Sequence, residues 1–157
     1  MVFKRQQLGE KRMNVAFYLN QINEEQNTTD LFNKINEDIE SGAIDNGSVF
    51  YKEIGRSAVE PKFGMFNSTD IWHFTGTLIA TSMETFLDAA KAINKYSLAY
   101  LFSKSVNQDV FSLIGISRAT KILTATEEDQ KEVYRLTGVK PILLDSVSPS
   151  SIVKALS

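Results

Sequence analysis

Six short runs of this chain are almost wholly apolar and rich in β-formers, and segments with a helical repeat separate them. The runs fall at residues 13–19, 48–54, 77–80, 97–102, 120–125 and 141–144. After the first, Leu31, Phe32, Ile35 and Ile39 stand close to three and four apart, which gathers them on one face of a helix running from Thr29 to Gly42. Ser82 opens a second helix with Phe86, Ala89, Ala90 and Ile93 on a shared face, and residues 106–115 make a short third. Thr126 followed by Glu127, Glu128 and Asp129 reads as a cap with acids where the helix macrodipole favours them, and Gly138 closes that helix. Ser148-Pro149 starts the last one. The stretch 55–68 reads as irregular, with Pro61 and Gly64 as breakers and Phe63, Met65 and Phe66 laid onto the sheet. Residues 69–73 read as a turn of helix.

Strands that are apolar along their whole length are covered on both faces, which calls for a parallel sheet between helical layers. The expected fold is α/β: a single doubly wound, mainly parallel six-stranded sheet, a Rossmann-like or flavodoxin-like sandwich with strands in the order 3-2-1-4-5-6. A chain of 157 residues with 43% hydrophobic and 23% charged residues fits one such domain over 13–157, preceded by a basic lead-in over 1–12.

The net charge of −2 provides no general attraction to nucleic acid, and no apolar run approaches the roughly 20 residues of a bilayer span. The polar start (Lys4, Arg5, Gln6, Gln7) does not read as a signal peptide. With no cysteine and one histidine, disulfides, thiolate metal sites and any site needing two imidazoles are excluded. A cytoplasmic setting is expected, with no metal and no cofactor.

Ligands of doubly wound sheets bind beyond the carboxyl ends of the strands, where the winding reverses. Here that point is expected between the loop after Leu19 and the loop after Phe102. The first loop, beginning Asn20-Gln21, has no glycine within residues 20–26, and its Glu24 and Glu25 repel phosphate, so the usual dinucleotide or P-loop site is disfavoured. The second loop, Ser103-Lys104-Ser105, is either an oxyanion contact or a plain polar loop. Thr126 is either a ligand contact above its strand or only a helix cap. His73, with Thr75 and Gly76 after it, is either a general base or sugar-hydroxyl contact, or a half-buried residue bonded to a backbone carbonyl. Trp72 reads as core or edge packing. Asp88, Asp109, Asp129 and Asp145 are separated by whole elements, and no Gly-x-Ser-x-Gly elbow or His-Glu-x-x-His appears. Catalytic residues are therefore not assigned.

Several stretches nevertheless resemble one enzyme family. The run 121–144, a strand, a Thr126 cap with an acidic first turn and Gly138-Val139 before the next strand, is similar to a segment of glycosyltransferases with the GT-B fold. Asp70-Ile71-Trp72-His73-Phe74-Thr75-Gly76 is similar to the stretch where such enzymes place a histidine near the acceptor, and residues 12–19 fit their first strand. His73-Phe74-Thr75-Gly76-Thr77-Leu78-Ile79-Ala80-Thr81 also resembles a stretch of small glycosyltransferase-like proteins of tailed phages. The resemblance implies the amino-terminal, Rossmann-like half of a GT-B enzyme, acting in the cytoplasm of an infected bacterium or in a virion. Such enzymes bind the nucleotide-sugar mainly on a second domain, which this chain does not accommodate, and its glutamates include no pair eight positions apart. The expected function is a non-catalytic binding or assembly protein with a protein partner or a second copy of itself. The alternative is a split or degenerate glycosyltransferase component that binds a nucleotide or sugar in the strand-end crevice.

Overall fold

The computed structural model describes residues 14–92, 96–104 and 109–157. The basic lead-in over 1–12 lies outside the described residues, as do Ile93 and Ser105.

The chain runs β1 (Asn14–Gln21), α1 (Gln26–Ser41), β2 (Asn46–Glu53), β3 (Gly64–Asn67), a 3₁₀ turn (Ser68–His73), β4 (Thr77–Ala80), α2 (Met83–Lys91) and β5 (Ser97–Leu101). It continues through α3 (Val110–Ser117), β6 (Ile122–Thr124), α4 (Glu127–Thr137), β7 (Ile142–Leu143) and α5 (Pro149–Leu156). The strands form one sheet in the order β3-β2-β1-β4-β5-β6-β7, parallel at every pairing. The expected doubly wound class holds, with seven strands rather than six.

The added strand is β3, in the stretch read as irregular. It takes the edge beside β2, with Val49 opposite Met65. The run at 77–80 is thereby the fourth strand and pairs with β1, Phe17 opposite Ile79. Four residues that open on Gly64, three positions after Pro61, are too few for an apolar alternation to show, so only pairing with β2 reveals the strand.

The two-residue strand period divides the core. Val15, Phe17 and Leu19 of β1 point to one face and join Leu31, Phe32 and Ile35 of α1 and Ile152 of α5. Ala16 and Tyr18 point to the other, against Phe50, Leu78, Ile71 of the 3₁₀ turn and Ala89 of α2. Farther along that second face, Phe86, Leu113 and Val133 bring α2, α3 and α4 down onto Tyr100 and Ile122. Phe63 drops from the loop before β3 to meet Phe32 edge-on, with ring centroids 5.0 Å apart. Burying such a ring contributes on the order of 3 kcal/mol, which fixes the loop although it carries no regular structure.

The helix ends follow their sequence signals. Thr126 accepts from the Asp129 amide, Ser148 from the Ser151 amide with Pro149 behind it, and Gly42 and Gly138 close α1 and α4 with positive φ. Ser82 and Thr85 exchange bonds in a capping box at the start of α2.

Candidate crevice at the strand ends

The winding reverses between β1 and β4, because the chain builds β2 and β3 on one side of β1 and β4 to β7 on the other. The loop that faces the end of β1 is therefore Thr81-Ser82, after β4, and not the loop after Phe102 expected from a six-strand order. A crevice of about 560 Å³ opens at this point. Its floor is made by Leu19, Asn20, Thr81 and Ser82, and Leu101, Phe102 and Ser103 extend it along β5. Asn27 and Thr28 in the first turn of α1 form one wall, where no side chain caps the helix. Its charged lining consists of the carboxylates of Glu25, Asp30 and Asp129 and the ammonium of Lys34.

Asn20 is the central group. Its Nδ2 donates to Ser82 Oγ at 3.1 Å, while its Oδ1 is buried and has no hydrogen-bond partner among the described residues. Ser82 is itself fixed, since its hydroxyl also accepts from the Thr85 amide at 3.1 Å. Thr81 donates from both its amide and its hydroxyl to the Tyr18 carbonyl, which locks β4 to β1 at the crevice edge. A buried polar atom left unpaired costs about 1–3 kcal/mol, so its place in the crevice calls for a reason.

A charged cluster holds α2, and with it Ser82, over the sheet. Lys52 of β2 reaches Asp88 at 2.5 Å and Glu84 at 3.0 Å, carboxylates one helical turn apart. The Tyr18 hydroxyl donates to Asp88 at 3.2 Å. Lys52 holds the Asp88 carboxyl below its usual range, and in return the carboxylates raise the Lys52 ammonium. Burial pushes the Tyr18 phenol up.

Of the residues picked from the sequence, Asn20, Gln21 and Ser103 line the crevice. Lys104 is exposed and paired with Glu128 of α4 at 2.6 Å. Thr126 serves as the α4 cap, next to Ala125 and Asp129 of the lining. His73, Thr75 and Gly76 lie elsewhere, on the approach to the amino end of β4. His73 is exposed at the end of the 3₁₀ turn. Gly76 has φ 138°, and a side chain there would come within 2.4 Å of the Asn14 carbonyl oxygen, so close backbone packing accounts for this glycine. Trp72, expected in the core or at an edge, is 52% exposed. Sequence reasoning missed Thr81, Ser82 and the first turn of α1; the reversal moves to the loop after β4 only once β3 is paired with β2.

Among the described residues no group of three or more His, Cys, Asp or Glu is placed to hold a metal ion, and no helix is long and apolar enough to cross a membrane. No protein-family profile matches the chain, and neither does any curated protein or any solved structure.

Proposed function

We propose that this chain is a non-catalytic Rossmann-like binding module, resembling the amino-terminal half of a GT-B glycosyltransferase and small proteins of tailed phages, that holds a small ligand in the strand-end crevice. The observation that carries this reading is the unpaired, buried Oδ1 of Asn20 at the point where the winding reverses. The crevice has the size of ordinary small-ligand sites, about 300–1,000 Å³. Asp88 is bound to Lys52 and Tyr18 on the face of the sheet, His73 lies toward the other end of the strands, and the crevice carboxylates Glu25, Asp30 and Asp129 have no histidine beside them in the lining. Phe111, 87% exposed on α3 with Ile114 half-exposed one turn on, supports the assembly side of the reading, a contact with a protein partner or a second copy.

The position of the crevice favours a second reading, because nucleotides bind at this place in doubly wound sheets. On that reading the chain is a split or degenerate glycosyltransferase component that takes up a nucleotide or sugar, with a partner chain as the opposite wall. A thermal-shift series with UDP, GDP, their nucleotide-sugars and free sugars tests both. A ligand at 100 times its Kd stabilises by about 2.7 kcal/mol, enough for a clear rise in Tm. The binding reading expects a rise with at least one compound that is lost in Asn20→Ala and kept in His73→Ala. No rise with any compound contradicts it, and protein-dependent release of UDP from a UDP-sugar contradicts its non-catalytic part.

A further inference from the structure

We infer that the crevice recognises the hydroxyl groups of an uncharged ligand, a sugar ring or the ribose of a nucleoside, and selects against phosphate. The inference rests on the proposed reading of the crevice as a ligand site and adds the chemistry of what enters it. Asn20 Oδ1 requires a hydrogen-bond donor, and a phosphate ester dianion has none to give. Rotating the amide would exchange the orphan acceptor for an orphan donor, which a hydroxyl also answers; in that arrangement discrimination against phosphate rests on the charges of the lining alone. The opposite wall asks for the reverse partner. At Asn27 and Thr28 the amides of the first helical turn have no intrahelical acceptor, and no side chain caps them. An amine satisfies only the Asn20 oxygen and a phosphate only those amides, whereas adjacent hydroxyls satisfy both.

The charges act in the same direction. Glu25, Asp30 and Asp129 line the crevice, Asp30 accepting from Gln26 Nε2 at 2.7 Å, and the ammonium opposing them, Lys34, donates to Ser146 at 3.2 Å. An entering dianion therefore meets three carboxylates against one engaged lysine. The floor beneath is neutral: the Asn20 amide and the Thr81 and Ser82 hydroxyls, with Leu19 and Phe102 providing an apolar patch for the carbon face of a ring.

Nuclear magnetic resonance titration of the whole chain, read at the Asn20 side-chain amide and the Thr81 and Ser82 backbone amides, tests this with five probes: uridine, uridine monophosphate, glucose, inorganic phosphate and spermidine. The expected result is a saturable shift with uridine or glucose, and binding of uridine monophosphate roughly tenfold weaker than uridine, the size of an uncompensated like-charge contact in a half-solvated site. A response to uridine alone assigns the recognised hydroxyls to a ribose, and one to glucose to a free sugar ring. Uridine monophosphate or phosphate binding as tightly as uridine overturns the inference and leaves the crevice a ligand site, and tighter binding of spermidine does the same. Silence with all five overturns the inference and the ligand-site reading together. In Asn20→Leu, which keeps the fold by the criterion of an unchanged amide spectrum elsewhere, the response must disappear; a response that persists also overturns it.

Discussion

Two asparagines of the domain, one on α1 and one at the end of β1, are treated in opposite ways. Asn36, 8% exposed on α1, uses both ends of its amide: Nδ2 donates to the Glu60 carbonyl at 3.0 Å and Oδ1 accepts from the Lys62 amide at 2.8 Å. It pins the loop that delivers Phe63 to the core and leads into β3. Asn20, at the end of β1, uses one end of its amide and leaves the other buried and unpaired. The first is a closed structural bond set. The second leaves a buried bonding position unfilled at the floor of a crevice, and an unfilled position at that depth is a cost to the fold that the proposed ligand would remove.

The contrast breaks most readily at Asn36. Asn36→Ala leaves a backbone carbonyl and an amide without partners and should cost about 2–3 kcal/mol in urea unfolding. A cost below that of Asn20→Ala would remove the distinction. Ser82→Ala comes next, at about 1 kcal/mol for the lost capping box. It also frees the Asn20 amide, so any crevice ligand should bind more weakly to it.

The charged cluster on α2 sharpens the comparison through pH. Asp88 is held below its ordinary pKa by Lys52, so its ionised form favours folding. That contribution is complete above the unfolded-state value of about 3.9 and is lost as pH falls through the lower folded value. With both side chains partly exposed, the pair is worth below about 1 kcal/mol at neutral pH. Asp88→Asn should therefore lower neutral stability slightly and flatten the loss of stability below about pH 4. An unchanged acid limb would show that the cluster does not hold α2 in place.

Much of the fold is legible in the sequence because its strands are buried on both faces and its helices carry strong caps. The Thr126, Ser148 and Ser82 caps and the Gly42 and Gly138 stops all act at the helix ends where they were read. The winding point is less legible. It depends on β3, whose Gly64 and exposed Phe66 give no apolar signal and whose pairing with β2 is a long-range contact. One missed edge strand shifts the facing loop from Ser103 to Thr81-Ser82. The site shows the same division. Asn20 and Gln21 follow from the end of β1, but whether an amide oxygen is left unpaired is set by neighbours 62 residues away, which no local pattern reveals.

The smallest expected stability effect is also the most direct test of the account. Asn20→Ala gives up one hydrogen bond and removes one buried unpaired acceptor, and the two changes nearly cancel, leaving stability within about 1 kcal/mol of the parent chain. Measured side by side in urea unfolding and in a uridine titration, this variant should be as stable as the parent and should have lost the crevice response. A variant that is strongly destabilised and still binds uridine as the parent does would show that Asn20 is a structural residue and that the crevice is not held open for a ligand.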